Sequence, residues 1–495
     1  MKILHAGWGF LPFRKGGLIE YAEDLMQIQV QKGYEVSYFC TGRHNIFLPS
    51  STLKKWKHDK GYQVFELMNP PIVTGLDFGM DQPRLDYSDK QTQDVFLAVV
   101  ADVKPQIVHF QELLGLPTAL LSTLKALGIL TVYTAEDYFP LCPTLKLVTY
   151  ERQLCSIKGP ELGKVCAVCC REAPINNVLY KLKSTYKIFK NPFWRQLRPS
   201  FLKWHPALYA FLTKRKQSAG DLLPRGLEER KALKVHEFNE RRLQNLQNLT
   251  SCDLIIAMST RVKEIFTYYH PFTNIITLNL TLNHISWLLP NKIEPKANEH
   301  LVLGVINAMG TYSKGRDLLF ELFELISATS LADKITLNVL GDVFGDTPSR
   351  LKAYKFIHYR GTYKTKNLND LLESLKIQVG LVPSVWEEAY AYVGIEFLAK
   401  GIPVIGNQIG GITDYLFNDE TGWLNPGCTA QGIYQIIANL VKDPSQIVHV
   451  NRNLISNRSK YIKTLDVHFN EMDHLYTNLI AGGLTHETPS RNALN

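Results

Sequence analysis

The sequence has no apolar run long enough to span a bilayer, which excludes a transmembrane helix within it. The first ten residues have too short an apolar stretch before Gly7 and Gly9 for a secretory signal. No tandem repeat or low-complexity tract is visible. Because only eight cysteines occur in 495 residues and no secretory signal precedes them, we expect a cytoplasmic protein with reduced thiols.

Acidic residues are absent from one long segment, 181–216, which contains ten Lys or Arg and eight interleaved Phe, Trp or Tyr. The segment therefore carries +10 of a net charge of +9, so the rest of the chain sums to about −1. This pattern suits a short interfacial helix on anionic lipid. Nucleic acid is the other ligand of such patches, but no nucleic-acid motif accompanies this one, so we expect none. The alternative left open is an insertion that packs its aromatics internally.

The remaining sequence alternates short apolar strands with amphipathic helices, which favours parallel α/β sheets. A chain of this length holds two or more domains. Strands are predicted in the first half at 2–5, 35–39, 107–110 and 130–134, with a helix at 19–32, and in the second half at 301–306, 335–340, 356–359, 378–382 and 404–406. The chain changes halves between 253 and about 298.

The most informative stretch is 383–427, where two glutamates surround a helix start. Glu388 precedes the helix and could reach a sugar, whereas Glu396 lies about one turn into the helix and could accept hydrogen bonds from ribose hydroxyls. The unpaired N–H groups at a helix start suit a diphosphate. Gly401 fits a C-terminal cap and Pro403 prevents continuation. A further helix is predicted at Thr413, after a glycine turn.

This ordered string resembles glycosyltransferase family 4, the retaining, nucleotide-sugar-dependent enzymes of GT-B fold. The matching residues are Pro383-Ser384, Glu388, Glu396, Ala399 to Val404, Gly410 to Ile412 and Thr421 to Leu424. The resemblance implies two Rossmann-like α/β domains facing a cleft. It predicts an acceptor domain at 1–290, which contains a cysteine cluster at 136–172 and a helical, basic aromatic insertion at 178–245. A donor domain follows at 291–465. A helix at 466–482 is expected to pack back on the first domain, and the tail at 483–495 is expected to be disordered.

The resemblance also implies roles for individual residues. Glu388 would bind donor-sugar hydroxyls, Lys314 would neutralise the leaving diphosphate, and both form the catalytic set. The donor-binding set adds residues that hold the nucleotide and let backbone approach the phosphates: Glu396, Gly16, Gly17, Gly361, Ala391 and Tyr392.

Three departures from the family pattern stand out. Met309 occupies the place of a usual arginine, so Arg316 or Arg360 would supply a second cation. Ala391 follows Tyr390 where the family has Phe-Gly. Glu136 replaces a histidine, and an ionised glutamate cannot donate the hydrogen bond that a histidine can.

The cysteine cluster looks like an insertion carried by some family members that begin Asp-Tyr-x-x-x-Cys-Pro. Thiolates of Cys142, Cys155, Cys166 and Cys169, or Cys170 in place of the last, would suit a structural zinc, which metal analysis of the purified protein tests. Packed, reduced cysteines are the alternative. The chemistry itself requires no cofactor.

We therefore predict a retaining hexosyltransferase-type enzyme that moves a sugar from a UDP- or GDP-sugar to a glycan or lipid-linked acceptor. It would act in cell-surface polysaccharide or glycoconjugate assembly, at the inner face of the membrane. The alternatives are an inactive binding or scaffold subunit, and another GT-B enzyme such as a sugar-nucleotide epimerase.

Overall fold

The structure is a computed structural model that describes residues 1–48, 50–73, 79–189, 227–294 and 300–483. Contacts divide the chain into two compact units. The first comprises Met1–Ile19 and Gln29–Leu254, and the second comprises Glu20–Ile28 and Ile255–Asn495. The predicted domain ranges remain predictions, and the contact-based division falls earlier than the predicted boundary, after Leu254.

The first sheet has eight described strands in the order β3-β4-β2-β1-β5-β6-β7-β8. They are β1 (Lys2–Trp8), β2 (Glu35–Thr41), β3 (Thr52–Lys57), β4 (Gln63–Met68), β5 (Ile107–Phe110), β6 (Leu130–Ala135), β7 (Leu254–Ala257) and β8 (Ile275–Thr277). β1 pairs in parallel with β2 and β5, while β3 and β4 form an antiparallel edge. The inner strands are buried almost throughout, as expected of parallel strands covered on both faces.

Helices connect these strands. They are α1 (Gly17–Gln31), α2 (Lys90–Val103), α3 (Ala119–Ala126), α4 (Leu162–Cys169), α5 (Ala173–Phe189), α6 (Leu227–Leu249) and α7 (Thr260–Tyr269). The N-terminus of α2 is capped by a side chain, since the Asp89 carboxylate accepts a hydrogen bond from the Thr92 amide at 2.9 Å. The part of the basic segment from 190 to 216 lies outside the described residues.

The second sheet has six described strands, all parallel, in the order β11-β10-β9-β12-β13-β14. They are β9 (Leu301–Ile306), β10 (Ile335–Leu340), β11 (Ile357–Gly361), β12 (Val379–Val382), β13 (Val404–Asn407) and β14 (Gly422–Asn425). The helices of this unit are α8 (Arg316–Ser327), α9 (Thr347–Leu351), α10 (Leu368–Ser374), α11 (Tyr392–Ala399), α12 (Ala430–Lys442), α13 (Ser445–Ser456), α14 (Arg458–Tyr461) and α15 (Leu465–Ile480).

Every predicted strand is present, but the antiparallel β3–β4 pair was not predicted. The predicted helix at Thr413 is wrong, because the chain makes only a short 3₁₀ helix over Gly410–Asp414. The Thr421 hydroxyl donates to the Tyr415 carbonyl at 2.9 Å and accepts from the Phe417 amide at 2.8 Å. Those bonds satisfy backbone groups that a continued helix would have paired, so the loop closes onto β14.

The predicted C-terminal helix is present as α15, and its packing on the first domain stays a prediction. Residues 484–495 of the predicted disordered tail lie outside the described residues. Across the part of the chain that the structure describes, no helix combines the length and apolar character needed to cross a membrane.

Candidate functional site

The candidate site lies in the second unit, at the carboxyl ends of β9 and β12. These two strands pair in parallel. The strand order reverses between them, because β10, the next strand in the sequence, pairs with the opposite edge of β9. In open parallel sheets the loops after such strands leave a crevice that binds ligands. The chain places Lys314 in the loop after β9, and Ser384 and Glu388 in the loop after β12.

A glycine makes the first of these loops possible. Lys314 ends a 3₁₀ turn over Tyr312–Lys314, and Gly315 follows with a φ of +94° before α8 begins. A β-carbon at Gly315 would lie 2.1 Å from the carbonyl oxygen of Pro383. Only glycine therefore allows the β9 loop to approach the β12 loop this closely, and that approach positions Lys314.

The two predicted catalytic residues meet each other. The Lys314 Nζ forms an ion pair with Oε1 of Glu388, and the Ser384 hydroxyl donates to Oε2 of Glu388 at 2.5 Å. The Glu388 side chain is 12% exposed and the Lys314 side chain 39% exposed, so this pair is only partly open to solvent. Ser384 was predicted only as part of a motif, and the structure adds it as the residue that orients Glu388.

The neighbouring Glu387 is buried and has a supporting role that the sequence did not indicate. Its carboxylate receives two hydrogen bonds from Arg261, at 2.6 and 3.0 Å, and one from the Gly410 amide at 3.1 Å. The Gly411 amide in turn donates to the Glu388 carbonyl at 2.7 Å. The loop that carries Glu388 is therefore held against the glycine turn from both sides.

The entry to α11 is constrained at Ala391. This residue adopts the left-handed conformation, with φ +50° and ψ 64°, at the N-cap of α11. The Tyr415 hydroxyl donates to the Ala391 carbonyl at 2.9 Å, which helps to hold that conformation. An L-residue pays roughly 1–2 kcal/mol there relative to glycine. Tyr392 is the first residue of α11, where backbone N–H groups are unpaired.

Glu396 lies one turn into α11 and pairs with a residue that the sequence did not single out. Nε2 of His284, on a 3₁₀ helix over Asn283–Trp287, lies 2.8 Å from Oε1 of Glu396. Glu396 is 7% exposed, and its Oε2 is buried without a partner among the described residues. Burial lowers the pKa of His284, but the hydrogen bond to Glu396 and the carboxylates of Glu20 and Asp24 outweigh this and raise it.

The hydrogen bond with His284 therefore fixes one oxygen of Glu396 and leaves the other available. No sequence signal could have found it, since 112 positions separate the two residues.

The remaining predicted donor-site residues lie as follows. Gly361 ends β11 with a φ of +78°, and the guanidinium of Arg360 donates to Asn338 at 2.8 Å. The Arg316 guanidinium lies 2.8 Å from its neighbour Asp317. Both arginines are therefore already paired within their own unit, and the second-cation assignment stays a prediction.

Met309 is 1% exposed, so its side chain belongs to the core. In the first unit, Gly16 has a φ of +136° and Gly17 opens α1, as expected of a loop that precedes a helix. Their predicted role toward phosphate and acceptor stays a prediction.

The four predicted zinc ligands lie in one region of the first unit. Cys166 and Cys169 are about one turn apart on α4, and the Cys142 thiol lies 3.2 Å from the Thr144 hydroxyl. Burial, with the nearby Cys142 and Cys155 thiols, raises the pKa of Cys169 to about 12. Among the described residues no group of three or more His, Cys, Asp or Glu is placed to hold a metal. The zinc site therefore stays a prediction.

Two α/β units with parallel sheets, one of which carries charged side chains at its strand-order reversal, define a protein of GT-B fold. The sequence model of the family described as glycosyl transferases group 1 matches residues 291–460, which include Lys314, Glu388 and Glu396. A relative from Klebsiella pneumoniae, described as an uncharacterized 42.6 kDa protein in the cps region, is 25% identical over 154 residues. That match covers 30% of this chain and 39% of the relative's length.

Solved structures share the fold along nearly the whole chain. Sucrose-phosphate synthase from Thermosynechococcus elongatus matches 98% of this chain and 100% of its own with a TM-score of 0.59 and 14% identity. HepE from Anabaena, in complex with UDP and glucose, matches 96% and 99% with a TM-score of 0.54 and 13% identity. The UDP-forming trehalose-phosphate synthase from Burkholderia xenovorans, in complex with glucose-6-phosphate, matches 96% and 100% with a TM-score of 0.55 and 11% identity. Together with the family match, they support a glycosyltransferase of GT-B fold.

Proposed function

We propose that this protein is a retaining glycosyltransferase that transfers a sugar from a nucleotide diphosphate donor to a hydroxyl of a glycan or glycolipid. The observation that carries the proposal is the Lys314–Glu388–Ser384 group at the strand-order reversal of the second sheet. It falls within the segment that matches the group 1 glycosyltransferases. HepE structures have been solved in complex with UDP and with UDP-glucose, which supports UDP in the donor.

Each residue then has one role. Lys314 stabilises the negative charge on the departing diphosphate, and Glu388 binds the donor sugar and stabilises its oxocarbenium-like transition state. Glu396, held by His284, binds the ribose through its remaining oxygen, and the first N–H groups of α11 approach the diphosphate. The acceptor oxygen bonds to the anomeric carbon on the face from which the diphosphate leaves. Its proton passes to a diphosphate oxygen, so no covalent nucleophile from the protein is required.

A role in cell-surface polysaccharide assembly is supported by the cps-region relative. The described start of the basic segment supports work at an anionic membrane surface. α5 presents Ile175 and Val178 at 38% and 52% exposure, and it enters the segment 181–216. Apolar and basic side chains together suit the headgroup region of such a membrane. This arrangement would bring the enzyme to a lipid-linked acceptor.

The proposal is tested by removing each member of the ion pair. Lys314→Ala and Glu388→Ala should each lower turnover of UDP-glucose about 100-fold or more, because each removes a charge that acts in the transition state. Turnover is measured as UDP release, and folding is checked by thermal unfolding. The exposed pair between Lys460 and Glu420, at 2.7 Å in the same unit, offers matched controls. Lys460→Ala and Glu420→Ala should leave turnover unchanged. Near-normal activity in both site variants would refute the assignment.

An inactive, donor-binding subunit is the second candidate, and the burial of Met309 favours it. Since Met309 lies in the core and carries no charge, it does not supply the cation that the family resemblance implies at that position. A thermal-shift panel of nucleoside diphosphates and their sugars separates the two candidates. Stabilisation by UDP-glucose without any UDP release would support the binding subunit.

A further inference from the structure

The N-terminus of α7 contacts two loops beside the candidate donor site, although it lies far from both in the chain. Arg261, the second residue of this helix, donates to the Glu387 carboxylate at 2.6 and 3.0 Å. The preceding Thr260 donates from its amide and its hydroxyl to Oδ2 of Asp414, at 2.8 and 3.3 Å. Glu387 belongs to the loop after β12, and Asp414 ends the glycine turn, the 3₁₀ helix over Gly410–Asp414 that follows β13. One helix end therefore holds both loops.

The two loops also fit closely against each other. The Gly410 amide donates to the Glu387 carboxylate at 3.1 Å. The Gly411 amide donates to the Glu388 carbonyl at 2.7 Å. A β-carbon at Gly410 would lie 2.5 Å from the Glu388 carbonyl oxygen, and one at Gly411 would lie 2.0 Å from that of Ala389. The backbone that carries Glu388 therefore packs directly on the glycine turn, and a shift of that turn would move Glu388 with it.

The charge of Arg261 is what keeps this arrangement in place. The Glu387 side chain is only 10% exposed, so its carboxylate depends on the two guanidinium hydrogen bonds and on the Gly410 amide. Removing the cation would leave a buried, uncompensated carboxylate, which relieves its charge by moving toward water or by taking up a proton. Either response weakens the charge-assisted hydrogen bond from Gly410, and with it the support of the loop.

Arg261 is accessible from solvent on its other side. Its side chain is 41% exposed, and it lines a cavity of about 390 Å³ together with Glu264, Thr413 and Asp414. The exposed Glu264 carboxylate accepts a further hydrogen bond from it at 3.0 Å. Substitution of Arg261 by alanine would therefore extend an open cavity, through which a small cation can reach Glu387.

We propose that Arg261 is a positioning residue of the donor site, which acts through Glu387 and the glycine turn to set the place of Glu388 against the donor sugar. Glu396, which holds the ribose, is fixed by His284 instead. Loss of Arg261 should therefore affect transfer of the sugar more than binding of the nucleotide. This inference rests on the proposed function, because it concerns the geometry of the same reaction.

The test measures steady-state UDP release from UDP-glucose. Arg261→Ala should lower kcat about 10- to 100-fold, because Glu388 no longer meets the transition state in the right place. The KM for UDP-glucose and the affinity for UDP should change less than about threefold. Arg261→Lys keeps the charge but not the paired hydrogen bonds, so it should recover part of kcat. Millimolar guanidinium, far below a denaturing concentration, should also raise kcat of Arg261→Ala, because it restores a cation beside Glu387.

Action through Glu388 has a signature that a general loss of stability would not show. In a Glu388→Ala background, Arg261→Ala should lower kcat no further, and guanidinium should restore nothing. Glu264→Ala is the matched control, since it removes only the exposed partner of Arg261, and it should keep the wild-type kcat. Thermal unfolding checks that each variant folds, and Arg261→Lys carries the same comparison if Arg261→Ala does not.

Two outcomes would overturn the positioning role. One is a normal kcat in Arg261→Ala, and the other is an equal loss of kcat whether or not Glu388 is present. Absence of UDP release and of UDP binding in the wild type would instead count against the proposed function, so the two failures are distinguishable.

Discussion

At the residue scale, the site depends on carboxylates whose state is set by their neighbours. Glu388 meets a lysine and a serine hydroxyl, and Glu396 meets His284. Glu136 is buried beside Glu112 and Asp137, which raises its pKa well above the usual value. The three carboxylates therefore differ in their partners, although their side chains are the same.

His284 is predicted to act through Glu396 on donor affinity. His284→Ala should raise the KM for UDP-glucose about tenfold and change kcat less than threefold, because an interaction with the ribose contributes equally in ground and transition states. The raised pKa of His284 places the charged form at low pH, so donor affinity should be highest there and fall as pH rises through that pKa.

His284→Gln should retain part of the affinity and lose this pH dependence, since the amide donates without titrating. His449, an exposed histidine on α13, provides the control His449→Ala. An unchanged KM in His284→Ala would show that the pair has no role in binding.

At the element scale, two loops must approach closely for the site to form. The turn through Gly315 brings the β9 loop onto Pro383, and the glycine turn at Gly410 supports the loop of Glu388. The strands set the position of these loops, but the backbone contacts between them decide where Lys314 points.

Gly315→Ala should destabilise the protein and weaken donor binding together. The added β-carbon would overlap the Pro383 carbonyl, so we expect a loss of about 1–3 kcal/mol beyond the cost of the left-handed conformation itself. Gly345→Ala is the matched control, because Gly345 has a φ of +64° but open space around it. Urea unfolding of both variants, with UDP-glucose binding, measures the difference. Equal destabilisation in the two would contradict the importance of this contact.

At the scale of the whole molecule, charge is unevenly distributed. The chain carries +9, and one segment of 36 residues accounts for all of it. Its described part, residues 181–189, forms the end of α5, and one face of that helix packs on the rest of the first unit. There the Ser184 and Thr185 hydroxyls accept from the amides of His44 and Ile46 at 2.7 and 3.1 Å. These hydrogen bonds hold the helix that carries the lysines against the first unit.

Flotation with lipid vesicles tests the membrane proposal. The wild type should float with phosphatidylserine-containing vesicles and not with pure phosphatidylcholine, because each basic residue near an anionic surface contributes about 1 kcal/mol. Replacing Lys181, Lys183 and Lys187 by glutamine should lower the bound fraction, and added salt should do the same. The control replaces three exposed lysines of the second unit, Lys352, Lys355 and Lys376. Absence of wild-type binding to anionic vesicles would refute the proposal.

The parallel α/β architecture was predictable because apolar runs and their spacing are local properties. Lys314 and Glu388 were likewise found as separate motifs, and the fold brings them into one ion pair. Arg261 and His284 received no such assignment, since each acts through a partner distant in the chain. Ser384 was found only as part of a motif, although its partner Glu388 is four residues away. The helix expected at Thr413 was wrong for a local reason, because hydrogen bonds of the Thr421 hydroxyl to the nearby backbone redirected the loop.

The sequence by itself determined the alternation of strands and helices, the glutamates of the candidate donor site, and the segment that holds the positive charge. These depend on residue order alone. The tertiary structure decided the state of each acid, because burial and neighbouring charges set whether a carboxyl keeps its proton. Burial beside Glu112 and Asp137, for example, raises the pKa of Glu136 well above its usual value. A carboxyl group has the same chemistry wherever it stands in the chain, and only its folded surroundings distinguish one from another.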